Sequence, residues 1–210
     1  MEALNKFYRY LSDRISANGL GIQDSQSGRL DLRSESKKFH VEYDMTSVNK
    51  LDDIWKNLPW KKFRQVVFRL QCRIFTAQRN GKVDLVIKLQ KLLLSSKAAK
   101  WLAIRQVTQL NNGKKTSGID GKTALTVKER VRLYELLNKH WKNWKHKSLR
   151  RVYIPKADGT RRGLGIPTIA DRAYQSLLKL ALEPHGEATF SQHSYGFRPG
   201  RSTHDVQKAL

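Results

Sequence analysis

From Trp60 onward the apolar residues recur at three- and four-residue steps, and at Leu149 that spacing gives way to a strand-turn-strand pattern. Trp60, Phe63, Val67, Leu70 and Ile74 fall on one helical face, which predicts a helix over residues 60 to 79. Asn80-Gly81 reads as a turn, after which Val83, Val86, Leu89, Leu92 and Leu93 carry a second helix. A third, from about Lys97 to Gln109, has a small stripe of Ala99, Leu102, Ala103 and Val107. Beyond a Gly- and Lys-rich loop from Asn111 to Gly121, Thr126 and Glu129 have capping-box spacing, and Val127, Val131, Tyr134, Leu137 and Trp141 form the face of a fourth. Arg151 to Pro155 and Arg161 to Pro167 then read as two strands about the turn Ala157-Asp158-Gly159-Thr160. Thr168 and Asp171 suit the start of a helix over Ala170 to Leu182. It is expected to end at Glu183-Pro184, because the residue before proline resists helical geometry. The fold class expected from this order is α+β.

Charge narrows the partners. The net charge is +23 over 210 residues, a surplus that draws phosphate polyanions. Residues 1 to 54 hold 8 Lys/Arg against 9 Asp/Glu, leaving 33 against 9 for residues 55 to 210, so the basic surface belongs to the second region. Basic ribosomal and membrane-associated proteins share such totals, so charge by itself leaves the partner open. Lys139, Lys142, Lys145 and Lys147 alternate with Trp141 and Trp144, the mixture of cations and rings found on nucleic-acid surfaces. Trp141 is also placed to close the core of the fourth helix.

Several chemistries are excluded. Cys72 is the only cysteine, so there is no intramolecular disulfide and no cysteine-based zinc cluster; among Val66, Phe68, Leu70 and Ile74 it reads as a small core residue. The six His residues lack metal-ligand spacing. No window reaches the roughly 18 apolar residues that a membrane span needs. Residues 1 to 16 are weakly amphipathic, interrupted by Glu2 and Asp13, and no apolar signal core follows. Residues 17 to 50, rich in Gly and Ser, have the composition of a poorly packed connector. An intracellular setting is expected, in a bacterial cytoplasm or an organelle (plastid or mitochondrion), without secretion.

The strings RRVYIPKADGTRRGLGIPTIADRAYQ (150 to 175), LEPHGEATF (182 to 190) and SYGFRPGRSTHDV (194 to 206) occur in this order, preceded by AAKWLAIRQVTQLNNGKKTSGIDG (98 to 121). Together they resemble the N-terminal portion of group II intron reverse transcriptase/maturases over about residues 55 to 210. The resemblance implies three parts. They are a variable extension over 1 to 54, a helical N-terminal domain over 55 to 148, and partial fingers of a right-hand polymerase, a β-hairpin plus helices, over 149 to 210. It implies RNA-directed DNA synthesis and assistance of intron splicing as the family's activities. Partners would be intron or template RNA, with a DNA primer and a nucleoside triphosphate in the complete enzyme.

A polymerase must orient a triphosphate to within a fraction of an ångström, and cations on a stiff hairpin can do so. Lys156 and Arg162 bracket the turn, and the resemblance implies that these two touch the triphosphate. Arg161 is adjacent, and one residue of register separates the two arginines' faces. The competing reading is a solvated basic hairpin that touches RNA phosphates.

RNA contacts are expected from Lys114 and Lys115 in the loop, unless it is a plain connector, and from Lys142 and Lys145. Arg150, Arg151 and Arg161 on the hairpin, and Arg198 and Arg201 beyond it, are expected to join them. Tyr195 and Phe197 read as core anchors of a turn. The family's Mg²⁺-binding aspartates lie in blocks beyond those matched here. No metal ligand, cofactor or catalytic residue is therefore assigned, and the chain alone is expected to be inactive unless a partner chain supplies the palm. A second reading is a non-enzymatic RNA-binding splicing helper or a degenerate remnant.

Overall fold

The computed structural model describes residues 48 to 208 apart from Ala124 and Gln192. The expected amphipathic start and most of the connector before residue 50 lie outside the described residues. Helix α1 (Val48–Asn57) is followed by α2 (Trp60–Arg79), α3 (Val83–Ser95) and α4 (Lys97–Arg105). One π turn (Gln106–Leu110) and one 3-10 turn (Asn112–Lys115) lead to α5 (Val127–His140). Strands β1 (Arg150–Pro155) and β2 (Arg161–Ile166) then precede α6 (Ile169–Thr189) and α7 (Thr203–Gln207). The class is α+β, as the spacing indicated.

Two cores form around α6. In the first, Val67, Leu70 and Ile74 of α2 meet Val86, Leu89 and Leu93 of α3, Ala99 and Ala103 of α4, and Leu177 and Ala181 of α6. The small residues of α4 let it approach its neighbours closely. Not every expected position is buried: Val83 and Leu92 are exposed, and Cys72 is half-buried rather than a core residue. In the second core Trp55, Ile104, Val107, Leu133, Leu137, Ile169 and Ala173 come together. Trp55 meets Trp60 and Trp101 edge-on, with ring centroids 5.1 and 5.7 Å apart, and Trp101 stacks on Tyr134 at 4.1 Å. The helical periodicity of α5 is as expected, but its buried stripe runs through Leu133 and Leu137.

Lys100 is buried at the junction of three helices. Its ammonium donates to the Ser95 carbonyl at the end of α3 (3.1 Å) and to Asn138 Oδ1 (2.8 Å). Burial, then the neighbouring Lys97, push its pKa down.

Pro184 does not end α6, which continues to Thr189 with Pro184 inside it and fully buried. Proline lacks an N–H, so the carbonyl four residues earlier loses its helical donor. That carbonyl belongs to Leu180, and the buried Gln71 of α2 donates to it from Nε2 at 2.9 Å. Gln90 of α3 reaches the next carbonyl, Ala181, at 3.3 Å. Gln71 thus replaces the donor that the proline removed.

Candidate nucleic-acid interface

The hairpin stands out from the helices with nearly every residue exposed. Its register pairs Ile154 with Arg162 and Pro155 with Arg161. The Lys156 N–H continues the ladder by donating to the Thr160 carbonyl (2.8 Å), and the Gly159 N–H donates back to the Lys156 carbonyl (3.1 Å). Gly159 takes φ +79°, the left-handed position that a three-residue hairpin loop requires at its end. Asp158 accepts from the Thr160 hydroxyl (2.6 Å) and N–H (2.9 Å), and these two donors hold its carboxyl below the usual range.

Directly paired residues share a face and neighbours along a strand alternate. Arg162 therefore lies on the face of Ile154, and alternation past Pro155 returns Lys156 to it. Arg161 belongs to the opposite face, with Pro155, Tyr153 and Arg151. Of the two adjacent arginines, Arg162 is the one that shares Lys156's face at the hairpin tip. Arg150, at the open end, is exposed on that face too.

The loop before α5 is anchored to the start of α6. A Cβ on Gly118 would lie 2.7 to 2.9 Å from backbone atoms of Pro167 and Thr168, closer than any side chain allows. Arg172, a residue the sequence reading passed over, holds the other end of this loop. Its guanidinium donates to the carbonyls of Gly113 (2.7 Å), Thr116 (2.5 Å) and Pro167 (3.1 Å). Its position one turn into α6 behind a capping residue was the available signal. Lys115 stays exposed, whereas the half-buried Lys114 donates to the Gln109 carbonyl at 2.7 Å.

The linker from α5 to β1 is fixed by a buried carboxylate. Asp171 accepts from the Thr168 hydroxyl (2.6 Å), Trp144 Nε1 (2.9 Å) and the Lys147 N–H (3.3 Å), with His146 Nδ1 at 3.3 Å. Burial pushes its pKa up, but these hydrogen bonds outweigh burial and hold it below the usual carboxylate value. Trp144 stacks on Tyr174 at 4.9 Å, so its ring packs inward. Trp141 is half-buried, and the exposed Lys142 stands 5.6 Å from its ring centre. Beside this linker runs a groove of about 790 Å³ floored by Leu125, Leu133 and Ile169, with Arg132, Lys145 and Lys147 on its rim.

The segment after α6 inverts the expected roles. Arg198, expected to face nucleic acid, is 6% exposed. It pairs with Glu187 through Nε to Oε1 (3.0 Å) and an amino group to Oε2 (2.9 Å), and donates to the Ser191 and Ser194 carbonyls, each at 2.6 Å. Phe197, expected in the core, is fully exposed with φ +58°. One guanidinium satisfies a carboxylate and two carbonyls that a phenyl ring could not, so the arginine takes the interior. Tyr195 is half-buried, and the half-buried Arg201 lies 5.9 Å from its ring centre.

Among the described residues no group of three or more His, Cys, Asp or Glu side chains is gathered where an ion could bind. Asp171 and Glu187 are engaged as described, and Asp205 caps α7 by accepting from the Ser202 N–H and hydroxyl. The carboxylates of the described residues do not fit a two-ion polymerase centre.

Residues 55–137 match the N-terminal domain of reverse transcriptase, and residues 154–210 match the reverse transcriptase (RNA-dependent DNA polymerase) domain. Helices α2 to α4 and most of α5 lie in the first match, and the end of β1 with β2, α6 and α7 in the second; both matches are to domains of the reverse transcriptase class. It is 41% identical over 156 residues, 74% of its length and 34% of the relative's, to Maturase-like protein 1 of Euglena gracilis. It is also 41% identical over 134 residues, 60% of its length and 34% of the relative's, to Protein YkfC of Escherichia coli (strain K12). With the Group II intron-encoded protein LtrA of Lactococcus lactis subsp. cremoris it shares 41% over 63 residues, 30% of this chain and 10% of that one. The chain belongs to the group II intron reverse transcriptase/maturase family and corresponds to its N-terminal portion. It spans about a third of the length of the first two relatives.

Proposed function

We propose that this chain is the RNA-binding front of a group II intron-encoded reverse transcriptase and maturase, acting inside the cell on intron or template RNA. In this reading Lys156 and Arg162 hold the triphosphate of the incoming nucleotide when the remainder of the polymerase is present. Exposed Lys115, Lys142, Lys145, Arg150, Arg151 and Arg161 touch RNA phosphates. The observation that carries the reading is the hairpin register, with Lys156 and Arg162 on one face at the tip of an exposed, rigidly closed turn. Two cations on one stiff edge can grip a triphosphate without reorganising. The metal chemistry of polymerisation is not built from the residues described, so no step is assigned to them beyond binding and orienting.

The test uses the chain with the rest of the polymerase supplied, in cis or by a partner chain. Arg162→Ala should raise the nucleotide KM or lower kcat while template binding stays almost intact. One phosphate contact among many adds little to RNA affinity, whereas a misoriented triphosphate loses its in-line geometry. Equal losses of template affinity and nucleotide use would make Arg162 a general RNA contact. The purified 210 residues should bind RNA and extend no primer; extension above a heat-killed control would overturn that part.

A further inference from the structure

The two faces of the hairpin differ in what can cover them. One carries Val152, Ile154, Leu164 and Ile166 between Arg150 at the open end and Lys156 and Arg162 at the tip, so that its middle is apolar and favours burial against protein. The other carries Arg151, Tyr153, Pro155 and Arg161 opposite Gly163 and Gly165. Gly163 leaves the middle of this face without a cross-strand side chain to interlock with a second layer, while Leu149 lies over Gly165.

On this second face the Tyr153 ring lies over the gap that Gly163 leaves. A Cβ on Gly163 would stand 3.6 Å from Tyr153 Cε1, 3.9 Å from its Cδ1 and 3.9 Å from Arg151 Cδ. The ring is thus supported by backbone on one side, and with 58% of the residue exposed its other side faces solvent. A ring already held in place gives up little rotamer freedom when something stacks on it. Arg151 and Arg161 flank it, one toward the open end of the hairpin and one toward the tip, each roughly 7 Å away along the strand direction. The carboxylate nearest in sequence, Asp158, is turned to Thr160.

We propose that Tyr153 is a stacking platform for an unpaired nucleobase, with Arg151 and Arg161 holding the phosphates on either side of it. This rests on the RNA-binding reading above and adds to it a ligand class, single-stranded nucleic acid. A π-face accepts any base, whereas a duplex keeps its bases stacked on one another.

The test compares binding of the 210-residue chain to short oligouridine and to an abasic strand of the same length, which keeps the phosphates and lacks the bases. Tyr153→Ala should weaken oligouridine binding roughly tenfold and leave the abasic strand unaffected. Tyr153→Phe should bind as the unmodified chain does, because the ring and not the hydroxyl is the platform, and the unaffected abasic strand separates loss of stacking from loss of hairpin structure. Arg151→Ala should weaken both strands. Equal effects of Tyr153→Ala on both strands, or none on oligouridine as expected of a face covered by protein, would overturn the platform while leaving RNA binding in place. An unmodified chain that bound neither strand would overturn the RNA-binding reading itself.

Discussion

Arg198 and Phe197 are neighbours in a segment whose composition invites the opposite of what is observed. The guanidinium is inside because Glu187 is inside, and a buried carboxylate without a partner is costly. Arg198→Met should therefore destabilise the protein by about 3–5 kcal/mol, read as a lowered denaturation midpoint in urea. Exchanging both members for apolar residues should recover much of that loss. A fall in RNA affinity with an unchanged midpoint would instead show the guanidinium contacting RNA. Asp171 makes a pH-dependent contribution of definite sign. Its carboxyl is held below the ordinary value of 3.8, so the fold favours the ionised form. The stability this provides is present above the ordinary carboxylate range and is lost as the pH falls through the folded value. Between about pH 5 and pH 2, Asp171→Asn should lose stability less steeply than the unmodified protein. Parallel acid limbs in the two proteins would show that the carboxylate contributes nothing there.

Among the elements, α6 shows how a local rule is overridden. The residue before proline disfavours helix, yet the helix passes through Pro184 because Gln71 supplies the donor that the Leu180 carbonyl lost. Gln71→Leu should leave that carbonyl buried and unpaired, at a cost of about 1–3 kcal/mol. Adding Pro184→Ala should restore part of the loss, since an alanine N–H can bond to Leu180 within the helix. If the second substitution gave no recovery, Gln71 would be acting through packing alone. The hairpin is the contrasting case, since its turn chemistry and register follow local rules while an isolated pair of strands is only marginally stable. Its apolar face, with Ile154 38% and Leu164 42% exposed, offers the surface through which further protein could steady it.

At the scale of the whole molecule the charge separates cleanly from the region outside the described residues. Residues 1 to 47 hold 7 Lys/Arg and 7 Asp/Glu, so they carry none of the net +23. Removing them should change RNA affinity by less than about tenfold, or about 1.4 kcal/mol, measured by titration at fixed salt. A larger loss would place an RNA contact in that region.

Helix spacing, the capping pairs Thr126–Glu129 and Thr168–Asp171, the hairpin turn and the basic surplus of residues 55 to 210 were all determined by the sequence, because each depends on residues within a few positions or on a simple sum. Which side chains remain available at the surface depended on the tertiary structure. Glu187 removes Arg198 from the candidate interface, and Gln71 rescues a carbonyl 109 positions away. Those outcomes rest on desolvation and hydrogen-bond satisfaction between distant segments, which no local pattern encodes.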